Sequence, residues 1–203
     1  YVIGAGKATY GMAMALQRRL GKQIVGGYIN VPVVYRKHIG QITVQKASHP
    51  FPDATTITAT KKIYALLQSL TKDDLVIGLW SGGGSSLLTL PRPGLTLRNQ
   101  IELSRQLMRA GANIIELNTV RKHLSQVKGG QLAALTKANI LSLLISDVTG
   151  DRLDIIASGP TVADPTTGTQ AIRILKKYHL YTPTLDRVIC QVETPKRLDV
   201  RRV

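Results

Sequence analysis

Short apolar runs alternate along this chain with longer stretches in which apolar residues return every three or four positions. Tyr1-Val2-Ile3, Leu75 to Trp80 and Ile140 to Ile145 are continuous apolar segments of strand length, and each reads as a buried strand. Ile24 to Val34, broken by Gly26-Gly27 and Pro32, and Ile42 to Val44 read as further strands. Helical spacing places Ala8, Met12, Leu16 and Leu20 on one face, with Gly21 as the stop and Arg18, Arg19 and Lys22 in the last turn, where positive charge suits the helix dipole. Ala59, Ile63, Leu66 and Leu70 form a second stripe behind Asp53, which is expected to cap that helix. Thr96 to Ala110 and Ile114 to Leu124 follow as two amphipathic helices; a short helix opens after Lys128-Gly129-Gly130, and Ala171 to Tyr178 is the last before a polar tail. Strands of four to seven residues alternating with longer helices predict an α/β fold. The sheet should be mainly parallel and three-layered (α/β/α), Rossmann-like, with helices on both faces.

In such sheets ligands bind outside the carboxyl ends of the strands. Two glycine-rich turns sit there, Gly4-Ala5-Gly6-Lys7 and Ser81-Gly82-Gly83-Gly84-Ser85-Ser86, and Ser146-Asp147-Val148-Thr149-Gly150-Asp151 leaves the end of a third strand. Exposed backbone N–H groups at a helix N-terminus cradle phosphate oxygens. One such turn is equally well explained by the tight geometry that glycine permits; two in one domain, carrying Lys7 and three serines, shift the balance toward an anionic ligand. The chain is expected to bring them to one rim of the sheet.

Absences narrow the ligand. Dinucleotide binding at Gly4-Ala5-Gly6 needs a third glycine and a ribose-binding carboxylate about 20 residues on. Position 9 is Thr, and no Asp or Glu occurs between Lys7 and Asp53. The pattern GxxxxGK[ST] fails as well, because Ala8 follows Gly6-Lys7 and Tyr1 lies five residues before Gly6. Gly83-Gly84-Ser85-Ser86-Leu87 is not the GxSxG of a hydrolase. Phosphoryl transfer needs cations, an oxygen-ligated metal and groups that orient the acceptor hydroxyl. Lys7, Arg121, Lys122 and Lys128 supply the first; Asp147 and Asp151 suit Mg²⁺, which favours one or two carboxylates beside phosphates and water, although turn formation and capping account for them as well. A solvated helix face is the commoner reason for a run such as Arg121-Lys122-His123, and His49 between Ser48 and Pro50 reads as a hydrogen-bonded turn residue.

Charge and composition exclude other classes. Lys and Arg number 27 against 12 Asp and Glu, a formal +15, but only 4% of residues are aromatic and the cations are scattered. Stacking platforms and a basic stripe for nucleic acid are therefore missing, and small anions with a solvated basic surface are expected instead. No uninterrupted apolar segment reaches membrane-spanning length and no signal-peptide pattern opens the chain. The single cysteine, Cys190, has no partner for a disulfide and no metal-binding neighbours. The expectation is a soluble, cytoplasmic protein without membrane or nucleic-acid partners.

Taken in order, the motifs resemble one family, the glycerate 2-kinases whose second domain is called MOFRL and which older labels call hydroxypyruvate reductases. The resemblance rests on Gly4-Ala5-Gly6-Lys7-Ala8, Ser48-His49-Pro50-Phe51-Pro52-Asp53 and Ser81-Gly82-Gly83-Gly84-Ser85-Ser86-Leu87-Leu88. It continues through Asn118-Thr119-Val120-Arg121-Lys122-His123-Leu124-Ser125, Lys128-Gly129-Gly130, Ser146 to Asp151, Ile156 to Val162 with Asp164-Pro165, and Glu193-Thr194-Pro195-Lys196.

The resemblance implies transfer of the ATP γ-phosphoryl group to the 2-hydroxyl of D-glycerate, assisted by Mg²⁺. Lys7, Arg121 and Lys128 would then be catalytic. Gly4, Gly6, Ser81, Gly82, Gly83, Gly84 and Ser85 would hold the nucleotide, and Arg121, Lys122 and Asn118 the substrate. Asp147 and Asp151 as metal ligands follow from their spacing alone. The chain is expected to be one domain, residues 1–190, incomplete and without the family's second domain, followed by a basic tail, residues 191–203; a homo-oligomer is left open. Two alternatives stand beside the kinase: a catalytically dead nucleotide-binding remnant, and an NAD(P)H-dependent hydroxypyruvate reductase, which the missing ribose carboxylate disfavours.

Overall fold

The computed structural model describes residues 1–198. Its strands are β1 (Val2–Ala5), β2 (Gly27–Val31), β3 (His38–Ile39), β4 (Ile42–Lys46), β5 (Leu75–Ser81) and β6 (Asn139–Ile145). They form one sheet in the order β3-β4-β2-β1-β5-β6, parallel throughout except for the antiparallel β3–β4 pair. The parallel strands thus run outward on one side from β1 through β2 to β4, and on the other through β5 to β6. The order reverses between β1 and β5, which is the switch point at which open α/β sheets leave a crevice.

All four residues of β1 are buried, as is β5 beyond Leu75, which is why both read as unbroken apolar runs. The helix α1 (Thr9–Leu20) covers one face, setting Ala13 among Ile29, Ile42 and Leu79. On the other face α2 (Ala54–Ser69) sets Ile63 and Leu67 against Ile3, Val76 and Trp80. Full burial of each such side chain stabilises by about 1.5–3 kcal/mol. Asp53 caps α2 as expected: its carboxylate accepts from the Thr56 N–H at 3.0 Å, while the Thr56 hydroxyl accepts from the Asp53 N–H. The short α3 (Gly84–Leu87) leaves the end of β5.

A third apolar cluster belongs to helices that pack on one another: α4 (Leu97–Arg109), α5 (Ile114–His123), α7 (Gly168–Lys177) and α8 (Pro183–Ile189), joined through Leu107, Val120, Leu175 and Val188. The four-residue α6 (Gln131–Ala134) follows the Lys128-Gly129-Gly130 turn. The three-layer expectation therefore holds, with a helical lobe added beside it.

Three expectations need correction. The β6 strand is not buried: Leu141, Leu143 and Ile145 are 40 to 50% exposed, because they lie on the α1 face at the sheet edge, beyond the reach of α1. The Arg121-Lys122-His123 run is not a solvated face; Lys122 and His123 are buried and Arg121 is half-buried. Part of the polar tail is a helix, α8, started by Thr182, whose side chain accepts from the Leu185 N–H, and by Pro183 in its first turn. Beyond it Glu193 accepts from His123 and from the Gly168 N–H, and Thr194 is buried, so the domain's packing extends past residue 190. The last five residues of the expected basic tail lie outside the described residues. No described helix is long and apolar enough to cross a membrane.

Candidate anion site at the ends of the central strands

The two glycine turns meet, because β1 and β5 are neighbours. The Lys7 N–H donates to the Gly82 carbonyl at 2.9 Å, and the Ala8 N–H to the Ser81 hydroxyl at 3.0 Å. A methyl group at Gly6 would overlap the Ser81 hydroxyl and come within 2.9 Å of its backbone N. Gly4 is equally confined, 2.8 Å from the Thr9 methyl, and Gly84 would meet the Ala157 methyl at 2.6 Å and the Ala5 carbonyl at 2.9 Å. These glycines are needed for space. At Gly83 conformation is added, since its φ of 81° lies in the left-handed region.

Gly83 is also where side chains gather. The position of its absent Cβ lies 3.0 Å from His49 Cδ2, 3.1 Å from His49 Nε2 and 3.3 Å from Lys7 Cε. His49 is placed there by the capped start of α2: the Ser48 N–H donates to the Thr56 hydroxyl at 2.9 Å, which ties the preceding turn to the helix. Arg105 from α4 stacks on Phe51, 4.5 Å from the ring centre, and closes the other side of this turn.

Below Gly83 opens a cavity of about 220 Å³, lined by the His49–Pro52 turn, by Ser85, Ser86 and Thr89, by Gln100, Ile101 and Ser104 of α4, and by Arg121 and Lys128. Neither cation faces a carboxylate among the described residues. The Arg121 Nε donates only to the Ser104 hydroxyl, at 3.4 Å, and burial lowers its pKa. Lys128 Nζ donates to the Ser85 carbonyl at 2.7 Å and to that of Leu88, and burial, with Arg121 second, pushes its pKa down to about 7. A buried cation without a counter-charge is costly, and an anion entering the cavity would relieve that cost. Burial, then Lys7, also lowers the pKa of His49, so its ring is neutral near pH 7.

Asn118 is one layer behind. The Ser85 hydroxyl bonds that of Ser158 at 2.7 Å, and Ser158 donates to Asn118 Oδ1 at 3.0 Å. Ser158 and its neighbour Ala157 both have left-handed backbones, φ 62° and 51°, strain of the kind that collects at functional sites. Lys122 is elsewhere: it points away from the cavity into Asp154 at 3.2 Å and Asp164 at 3.3 Å. Asp147 touches the rim, its carboxylate filling the space over Gly82. Asp151 is exposed, at φ 48°, in the loop beyond. No cluster of three or more acidic, His or Cys side chains able to hold a metal occurs among the described residues. Several lining groups escaped the sequence reading, His49, Thr89, Gln100 and Ser104 among them. For His49 the signal was its place in the Ser48–Asp53 motif; Gln100 carried none.

A family model described as a domain of unknown function, DUF4147, matches residues 1–192. The chain belongs to this family. Among its relatives, a protein named hydroxypyruvate reductase from Agrobacterium vitis is 45% identical over 98% of this chain and 46% of its own. The D-glycerate 2-kinase of Thermotoga maritima is 43% identical over 97% of this chain and 48% of its own. A crystal structure of a glycerate kinase (EC 2.7.1.31) from Thermotoga maritima superposes with a TM-score of 0.93, covering 98% of this chain and 48% of that one at 43% identity. The chain thus spans about half the length of these relatives.

Proposed function

We propose that this domain supplies the phosphate cradle and the acceptor pocket of a glycerate 2-kinase, which transfers the γ-phosphoryl group of ATP to the 2-hydroxyl of D-glycerate. The observation that carries the reading is the meeting of Lys7 and His49 on Gly83, directly above a cavity whose two cations have no carboxylate partner among the described residues. The relatives named glycerate kinase support phosphoryl transfer to glycerate, and the one named D-glycerate 2-kinase supports the 2-hydroxyl as acceptor.

In this reading the N–H groups from Gly82 to Ser85 and the Lys7 ammonium take the nucleotide phosphates, at the rim where β1 and β5 end. The cavity, at about 220 Å³, is below the usual ligand-pocket range of ~300–1,000 Å³ and suits a three-carbon acid better than a whole nucleotide. Arg121 and Lys128 receive its carboxylate. Asn118 supports Ser85 through Ser158, and Lys122 anchors the fold. A lone carboxylate beside a phosphate cradle fits Mg²⁺, which takes most of its shell from phosphates and water; Asp147 would hold it, and the ion would neutralise charge on the transferred group. Asp151 has no contact that draws it into this set.

Calorimetric titration with Mg·ATP and with D-glycerate tests binding, and production of 2-phosphoglycerate from the two tests transfer. Saturable binding of both ligands, each weakened by K7A or R121A respectively, is the expected result. Wild-type protein that binds neither ligand would end the proposal. Binding without turnover would support the reading of the domain as a nucleotide-binding remnant. Glycerate-dependent reduction of NAD⁺ would transfer it to the reductase named among the relatives.

A further inference from the structure

Resting on the kinase reading, we infer that His49 is the group that accepts a hydrogen bond from the acceptor hydroxyl and takes its proton as the new O–P bond forms. Transfer to an alcohol leaves one proton to be placed. The hydroxyl oxygen bonds to the γ-phosphorus, the bond from that phosphorus to the β–γ bridging oxygen breaks, and the hydroxyl proton needs an acceptor within reach.

The cavity lining offers few. Among the described residues it holds no Asp or Glu. The Ser86 hydroxyl donates to the Gly83 carbonyl, that of Thr89 to the Ser85 and Ser86 carbonyls, and that of Ser85 joins the chain through Ser158 to Asn118. These are weak bases already turned to the backbone or to one another. Lys128 sits on the floor beside Arg121, and a carboxylate bound there restores its ammonium proton, since an opposite charge favours the charged form.

His49 differs in place and in state. Its Nε2 edge lies against Gly83, the point that Lys7 also reaches, so the ring stands where the phosphate cradle and the acid pocket join. Among the described residues, Lys7 meets it at Gly83 and Arg121 and Lys128 share its cavity, while Arg105 stacks on Phe51, Asp53 caps α2 at the end of the same turn and Asp147 lies over Gly82. Burial, and after it Lys7, favours the neutral, proton-accepting imidazole, and developing negative charge on the phosphates favours the imidazolium once the proton has moved. The proton then leaves to solvent.

The test is a cycle between a residue and a hydroxyl group. Wild-type and H49A chains are titrated calorimetrically with D-glycerate and with 3-hydroxypropionate, which keeps the carboxylate and the 3-hydroxyl but lacks the 2-hydroxyl. Wild type should prefer D-glycerate by about tenfold or more, and H49A should lose most of that preference while binding 3-hydroxypropionate within about twofold of wild type, which also shows that it folds. A preference that persists in H49A, or is absent in wild type, overturns the assignment. In the kinase assay H49N should lower kcat by roughly 10²–10⁴-fold with little change in the KM for ATP, and should abolish the fall in rate on acidification that a titrating base produces. A kcat within threefold of wild type at every pH refutes the proton role. Failure of wild type to bind either acid removes the kinase reading and this inference together; binding of both with no His49 coupling removes this inference alone.

Discussion

Two lysines six residues apart, Lys122 and Lys128, are both almost wholly buried, at 1 and 2% exposure, yet their surroundings are opposite. Lys122 ends between Asp154 and Asp164, and Asp164 is further held by the Thr166 N–H and the Thr194 hydroxyl. Lys128 ends among backbone carbonyls, and the charge that acts on it is another cation, Arg121. Burial alone does not tell the two apart; the presence of a carboxylate does. The protein has neutralised the charge that holds α5 to the Asp154–Asp164 segment, and left uncompensated the one that faces a cavity.

The comparison can be broken most severely at Lys122. The K122M substitution leaves buried Asp164 without its counter-ion and should cost about 3–5 kcal/mol. For a domain of this size that lowers the midpoint of thermal unfolding by roughly 10 °C, readable by calorimetry.

Next comes pH. The folded pKa of Lys128, about 7, lies below the unfolded value, so between the two the unfolded chain binds a proton that the folded chain does not. Stability due to this lysine therefore rises from neutral pH toward the unfolded value near ~10.4, and denaturant midpoints at pH 7 and 9.5 should show the rise in wild type and its loss in K128M.

At fixed pH 7, K128M should change stability by only about 1 kcal/mol, because relief of a buried charge offsets two lost hydrogen bonds. Affinity for D-glycerate should nonetheless fall by tenfold or more in calorimetry. The smallest effect belongs to R152A. Arg152 closes the Asp154 end of the Lys122 network from the surface, at 3.0 Å, and its loss should cost about 0–1 kcal/mol by urea denaturation.

Much of the fold was legible because its signals are local. The apolar runs of β1 and β5, the Asp53 cap and the stop at Gly21 each need only a few consecutive residues, and together they place both glycine turns on one rim. What escaped depends on distant residues. Nothing near Lys122 announces Asp164, 42 positions later, so the run around it resembled a solvated face. His49 looked like a turn residue because its neighbour in space, Gly83, lies 34 positions on. The exposure of Leu141, Leu143 and Ile145 follows from where β6 falls in the strand order, which hydrophobicity does not encode. The α8 helix was hidden by its polar composition and is fixed partly from outside, by Arg92 donating to the carbonyls of Ile189 and Val192.

The contact of Gly6 with Ser81 also decides what a saturation library of this domain will report. Position 6 has no room for a single added carbon, so selection for folding and selection for phosphate binding will return the same intolerance there, and neither can be inferred from it. At position 83 the obstructing atoms are the movable side chains of His49 and Lys7, and asparagine tolerates the backbone angle better than most residues. A variant such as G83N that folds but has lost its ligand would make that residue, and not Gly6, the informative one to read.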